Sequence, residues 1–504
     1  MSEFGLPSGW AETTLGAVLT SVIGGGTPSR MVPAYFDGHI PWFTVKDMRV
    51  LKPDDAEEHI SEAAIADSAT NLIPANTLIV ATRIALGRAI RPTVACAINQ
   101  DLKALLPSNG ISSDFLLYWI GANQRVIQDL GSGTTVSGIR LEALHGLSLL
   151  LPPSTEQTRI VEKLEELLSD LDAGVAELKA AQTKLARYRR SLLKAAIEGA
   201  LTAEWRQHNT PEETGAQLLQ HILTERRARW EAKQLAKFSE QGKAPPKDWQ
   251  KKYPEPVQPN TADLPALPQG WVWSSIGQCF YVGVGATPSR KESSYWNGDI
   301  SWVSSGEVQF NRIKKTKEKI TQEGLNNSST QINPTGSVML GMIGEGKTRG
   351  QVSILDIEAA NNQNCAAIWV SDTDIPSDYV YFWLWSRYEQ TRQGSSGNNQ
   401  PALNKSIVES IPLPLPPLNE LSAISDLVGI SMDQIKRQED FIEVSLKQAM
   451  AQRKNILRAA FSGQLVPQDS NDEPASALLA RIRAGRATRH EGTSSRRRRP
   501  KEVA

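Results

Sequence analysis

Residues Gly341–Thr348, GMIGEGKT, fit the pattern G-x-x-x-x-G-K-[ST], a loop whose backbone amides cradle phosphates in many nucleotide hydrolases. Such a loop needs a helix after the lysine, with its N-terminus on the phosphates. Here TRGQVSILDI follows, and its glycine and apolar, β-branched run read as a turn and a strand. The match is therefore read as a strand–turn–strand without nucleotide chemistry. A second glycine pattern, GVGATPSR at Gly283–Arg290, breaks at Pro288 before a helix can open, so it is a poor dinucleotide fingerprint. No N-P-P-[YF]-like loop for amino methylation and no acidic–lysine spacing for a nuclease is present. The six histidines (His39, His59, His145, His208, His221, His490) lack metal-ligand spacing. The three cysteines, Cys96, Cys279 and Cys365, form no CxxC pair, which suits a reducing compartment and argues against zinc or disulfides. No catalytic residue, metal site or bound cofactor is expected.

With chemistry of its own set aside, charge and length narrow the class. The 504 residues exceed one ordinary core, so several domains are expected. Lys+Arg and Asp+Glu are both 55, so any nucleic-acid surface must come from local clustering. Lys314–Lys319 and the run Arg496–Arg499 are the basic clusters, read as a solvated face and a disordered end. The N-terminus has no basic and apolar leader pattern, and no run of about 18 apolar residues could span a membrane.

The chain is written twice. LPSGW (Leu6–Trp10) returns as LPQGW (Leu267–Trp271), TPSR (Thr27–Arg30) as Thr287–Arg290, and YFDGHIPW (Tyr35–Trp42) as YWNGDISW (Tyr295–Trp302). DFLLYW (Asp114–Trp119) returns as DYVYFW (Asp378–Trp383), and SLLKAAIEGALT (Ser191–Thr202) as NILRAAFSGQLV (Asn455–Val466). The offset drifts only from 260 to 264. That is far too long for a solenoid repeat. Each unit begins with a mixed part rich in glycine, proline and short apolar runs, which reads as a globular head. A strongly helical part follows a Pro-Pro stop.

The helices carry heptads. Leu164, Leu171, Leu178, Leu185 and Leu192 fall at sevens, as do Val428, Ile435, Ile442, Ala449 and Ile456. Ile160, Leu167, Ala181, Tyr188 and Ala195 would fill the other seam, with Gly174 as a weak point. Ser154 and Gln157 suggest a capping box at the first helix start. A sustained repeat of 3.5 residues marks a coiled coil, and each helix would span roughly 65 Å. The expected fold class is α+β, with two globular heads in tandem duplication separated by two long antiparallel coiled-coil helices in a pseudo-twofold arrangement. The expected divisions are 1–153, 154–201, 202–265, 266–417, 418–463 and 464–504. They are head, helix, connector with a Pro-rich linker, head, helix, and a tail with a short helix. That tail helix, ASALLARIRAG (Ala475–Gly485), echoes GAQLLQHILTE (Gly215–Glu225) in the connector.

The duplicated LPxGW starts, the TPSR turns, the LPLPP entry to a helix and LLKAAIEGALTAEWR together resemble the specificity subunits of type I restriction-modification systems. That resemblance implies that each head is a target recognition domain reading one half of a bipartite, asymmetric site on double-stranded DNA. It implies helices that set the gap and dock two modification subunits, with two restriction subunits completing the enzyme. S-adenosylmethionine, ATP and Mg2+ would belong to those partners, which methylate adenine N6 and restrict DNA in antiviral defence. The chain itself would be non-catalytic, cytoplasmic in a bacterium or archaeon, and not membrane-bound.

Base readout needs Arg, Lys, Asn, Gln, Ser or Thr on turns that reach a groove. In the first head the candidates are Thr27, Ser29, Arg30, Lys46, Arg83, Arg88, Asn99, Gln100, Thr134 and Ser137. In the second they are Thr287, Ser289, Arg290, Ser304, Ser305, Lys347, Arg349, Asn362, Gln363 and Asn398. Because TPSR recurs in heads expected to read different bases, it points to backbone positioning or fold support. Trp42 and Trp302 are expected in the core rather than stacking on bases. Two other readings stay open here: a coiled-coil scaffold without DNA specificity, and a P-loop NTPase with coiled-coil arms.

Overall fold

The structure, a computed structural model, describes residues 6–132, 138–344, 347–393 and 403–496. It divides into two compact units, residues 1–179 with 443–504, and residues 180–442. Compactness therefore groups each head with helix segments from distant parts of the chain.

In the first unit, Leu78–Ala81 is a continuous apolar strand with every residue buried, as a strand covered on both faces must be. It lies inside a four-stranded sheet ordered Leu19–Gly24, Leu102–Pro107, Leu78–Ala81, Ala89–Ile90. A three-stranded sheet, His59–Ile60, Ile40–Phe43, Ala97–Ile98, packs Trp42, Ile60 and Ala97 beside it. The head is closed by an antiparallel pair in which Ala11 faces Leu151, immediately before the first long helix. The second unit repeats the plan with one more strand. Its five-stranded sheet runs Tyr281–Val284, Cys365–Trp369, Val338–Gly341, Val352–Leu355, Asn311–Ile313, and its three-stranded sheet Glu318–Ile320, Trp296–Val303, Ala360–Asn361. The closing pair sets Val272 against Leu415.

The long helices run Ser154–Ile197 and Leu418–Phe461, 44 residues each. Within the first unit, Ile160, Leu164 and Leu168 share a core with Ile456, Leu457 and Ala460, and Asp172 pairs with Arg453. Within the second unit, Leu185 and Leu192 share a core with Val428 and Ile435, and Arg189 meets Glu439 at 2.6 Å. Rising numbers on one helix meet falling numbers on the other, so the segments are antiparallel in each unit. Leu171, Leu178, Ala449 and Ile456 are half-buried, and Ile442 is buried.

The companion seam matches the expected one in part, with Ile160 buried and Leu167, Ala181 and Ala195 half-buried. Tyr188 is 54% exposed and Gly174 has no neighbour near its Cβ position, whereas Leu168 is buried. Ala196 is buried as well, and Arg189 is half-buried where Tyr188 is not. Hydropathy chose Tyr188 over Arg189, but the Arg189–Glu439 pair lets the arginine lie against the facing helix. The capping box is also absent. Gln157 is fully buried and spends its amide on the head, accepting from Ser112 N at 2.8 Å and donating to Pro152 O at 3.1 Å.

Each head also carries an appended helix. Gly215–Glu240 sits on the second head: Gly215 N donates to Gly270 O at 2.8 Å, Leu218 and Ile222 are buried, and Arg226 donates to Gly277 O at 2.7 Å. On the first head, Ala475 N donates to Gly9 O at 2.8 Å, Leu478 and Ile482 are buried, and Arg486 donates to Gly16 O at 2.9 Å. The C-terminal helix runs Ala475–Arg496, longer than the segment read from sequence, and residues 497–504 lie outside the description. Farther along the appended helix of the second unit, Trp230 stacks on Trp249 at 5.7 Å and meets Tyr253 edge-on, giving the Pro-rich connector a small aromatic core.

A buried carboxylate ties each head to its long helix. Glu156 accepts from Trp10 Nε1 at 3.0 Å in the first unit. Glu420 accepts from Trp271 Nε1 at 2.9 Å, from Thr202 Oγ1 at 2.6 Å and from Arg206 at 2.6 Å in the second.

Candidate nucleic-acid interface

In each head the loop after the first sheet strand must pass hard against the turn preceding a neighbouring strand. A Cβ on Gly25 would lie 2.0 Å from Asn99 O, and one on Gly285 would lie 1.9 Å from Asn361 O, so only glycine fits. That close approach sets the next residues in contact. Thr27 Oγ1 donates to Gln100 Oε1, and Thr287 Oγ1 donates to Gln363 Oε1 at 2.7 Å. The turn is locked from inside: Asp101 N donates to Asn99 Oδ1 and Asn364 N to Asn362 Oδ1, each at 3.1 Å. The same edge meets the loop after the central strand, where Thr82 N donates to Asp101 O at 2.9 Å and Met342 N to Asn364 O at 2.8 Å. Both heads thus present one shared frame of three loops.

On that frame the heads diverge. Arg83 Nη1 lies 3.3 Å from Asp101 Oδ1 with half its side chain in solvent. The corresponding positions of the second head carry Ile343, 43% exposed, and Asn364, so a charged pair is replaced by neutral groups. Sequence reasoning missed Asp101. Its signal was the NQD turn, in which an Asx-type bond leaves the following carboxylate facing the arginine loop.

The TPSR turns do different work. Arg30 makes a two-pronged pair with Glu58 at 2.6 and 2.7 Å and lies 4.2 Å from the Phe36 ring centroid. Arg290 makes the same pair with Glu318 and lies 3.7 Å from the Trp296 centroid. Hydrogen bonds from these guanidinium groups hold the Glu58 and Glu318 carboxyls below the usual carboxylate range. A folded-state value below the unfolded one stabilises the fold at neutral pH, and that stability is lost as pH falls through the folded value. Ser29 and Ser289 accept from Met31 N and Lys291 N, both at 3.3 Å, inside the turns. Trp42 and Trp302 are buried, their indoles donating to Gly26 O and Ala286 O at 3.1 Å. This corner is spoken for by intramolecular bonds.

The remaining candidates divide similarly. Ser304 N and Oγ both donate to Glu307 at 2.9 Å, as Thr44 does to Asp47 in the first head, so Ser304 caps a short turn and Ser305 begins it. Lys46 and Arg88 are exposed. Lys347 is exposed, and its carbonyl accepts from Tyr388 Oη at 2.8 Å. Arg349 corrects the sequence reading: it is 7% exposed, with Nη2 donating to Arg392 O at 3.1 Å. Gly350 beside it packs against Tyr388 and Thr391, and the guanidinium is taken up by a backbone carbonyl inside the head. Thr134, Ser137 and Asn398 lie outside the described residues.

After Lys347 come a turn and then the strand Val352–Leu355, with no helix to meet a phosphate. The three cysteines are buried, and burial pushes the thiols of Cys96 and Cys365 up to about 12, far from nucleophilic use. Among the described residues no cluster could hold a metal ion, and no helix is long and apolar enough to cross a membrane.

Comparison with known proteins agrees with this duplicated design. The family described as "Type I restriction modification DNA specificity domain" matches residues 7–180 and again 268–440. The type I restriction enzyme EcoDI specificity subunit of Escherichia coli is 25% identical over 392 residues, spanning 75% of this chain and 77% of that one. The MjaIX specificity subunit of Methanocaldococcus jannaschii is 21% identical over 431 residues, spanning 84% and 88%. Two solved structures share the fold at 15% identity while covering 92% of this chain. One, from work on assembly and conformational transition of the type I R-M system, superposes with a TM-score of 0.62 over all of that chain. The other, the HsdS subunit from Thermoanaerobacter tengcongensis, superposes with 0.50 over 99% of that chain. The chain belongs to the type I restriction-modification DNA specificity family and carries that domain twice.

Proposed function

We propose that this chain is the DNA sequence-recognition subunit of a type I restriction-modification enzyme, and that each head reads one half of a bipartite, asymmetric site. One observation carries the reading: two heads share the Thr–Gln frame yet differ on it, with Arg83 and Asp101 in one and Ile343 and Asn364 in the other. A common frame positions the backbone, while different side chains upon it select different bases.

The paired helices set the unspecified gap and dock two modification subunits, and two restriction subunits join them. Adenine-N6 methylation and ATP-driven restriction, with S-adenosylmethionine, ATP and Mg2+, belong to those partners, and this chain catalyses nothing alone. The complex works in the cytoplasm. A phosphate-binding function finds no support in the turn and strand after Lys347. A bare scaffold leaves the paired, divergent loop frames without a purpose.

Single-molecule sequencing of host DNA tests this. A bipartite methyladenine motif with an unspecified gap should be present with the gene and vanish on its deletion. A motif that survives the deletion would contradict the proposal.

A further inference from the structure

The loop between the strands Leu78–Ala81 and Ala89–Ile90 holds Ile84 at φ +66°. A β-branched residue in the left-handed region is a genuine outlier, because its Cβ crowds the backbone. The other described non-glycine residues with positive φ have an evident reason. Asn76, Asp248 and Asn297 are types that tolerate the region, and Phe310 stacks its ring 4.8 Å from Trp385. Ile84 has neither excuse: its side chain is 64% exposed and belongs to no apolar cluster.

The surroundings force it outward. Leu86 is buried, Gly87 at φ +75° lies against the backbone of Gln124, and Thr82 is fixed to Asp101 O. Arg83 and Arg88 flank the loop with exposed side chains. In the second head the corresponding position is Gly344, φ +141°, where the backbone carries no such strain.

We infer that Ile84 is a specificity-determining residue, an apolar tip presented between two arginines to the C5-methyl group of a thymine in the half-site read by the first head. Arginines meeting phosphates or guanine edges would bring the loop into the major groove, where that methyl is the apolar mark among the base edges. The inference rests on the first head being a half-site reader, and it names the contact that reader makes.

The test uses the chain assembled with its methyltransferase subunits and duplexes bearing the mapped target. Each thymine of each half-site is replaced singly by deoxyuridine, which lacks only the methyl. The wild-type complex should lose about 4-fold in affinity at one position of one half-site, the worth of one buried methyl. Ile84→Gly should bind the thymine duplex as weakly as wild type binds that uracil duplex, and should no longer distinguish the two. It should melt no lower than wild type, because glycine removes the strain, and Ile84→Asn should behave alike. Specific binding by wild type with no sensitive thymine overturns the Ile84 contact alone. Equal loss by Ile84→Gly on thymine and uracil duplexes also overturns it. Absence of specific binding by the wild-type complex overturns the half-site reading beneath it.

Discussion

Glu420→Ala is expected to lower the stability of the second unit by about 3–5 kcal/mol, measured by urea denaturation followed through tryptophan fluorescence. Glu420 is 1% exposed and receives Trp271, Thr202 and Arg206 together, so its loss strands two buried donors and one partly buried cation. Its counterpart in the first unit has a different environment. Glu156 accepts from Trp10 and more distantly from Gln468 at 3.4 Å, and its Oε2 has no partner among the described residues. Burial raises the Glu156 carboxyl above the usual glutamate range. A raised acid favours the protonated fold, so this group's contribution is full below the unfolded value and is lost as pH rises through the folded one. Glu156→Gln should therefore cost less than about 1 kcal/mol and remove that pH dependence. Glu420→Gln, which gives up a charge-assisted bond to Arg206, should cost clearly more. Equal losses for the two glutamine variants would contradict the difference between the sites.

Ile435→Asp should be at least as damaging, costing about 4 kcal/mol or more in the same experiment. Ile435 is 2% exposed in the core that also holds Leu185, Leu192 and Val428, so a carboxylate there would be taken out of water. Phe441→Asp on the same helix is the control, since Phe441 is 69% exposed and its change should stay within about 0.5 kcal/mol. If Phe441→Asp destabilised the isolated chain as much as Ile435→Asp, the assignment of the helix seam would be wrong.

Much of the architecture was legible because it was written twice. The heptad from Leu164 to Leu192 is a property of the sequence alone, and so is the strand that follows GMIGEGKT. The place of Arg189 in the second seam was not legible, because the arginine pairs with Glu439, 250 residues away. The buried Gln157 escaped for a similar reason: its partners are backbone atoms of the head, not its own helix turn. In the site, residue types identified polar turns but not which polar groups were already occupied. Arg30 and Arg349 look alike in sequence, yet one is held by a carboxylate and the other by a carbonyl. Ile84 was invisible, because nothing in an isoleucine announces a positive φ.

The central claim is that each head reads one half-site by itself. Exchanging residues 267–416 for the corresponding head of another family member, followed by mapping of methyladenine in the host genome, tests it most directly. One half of the bipartite motif should change, while the other half stays as in the parent. A motif altered in both halves, or in neither with methylation intact, would contradict it.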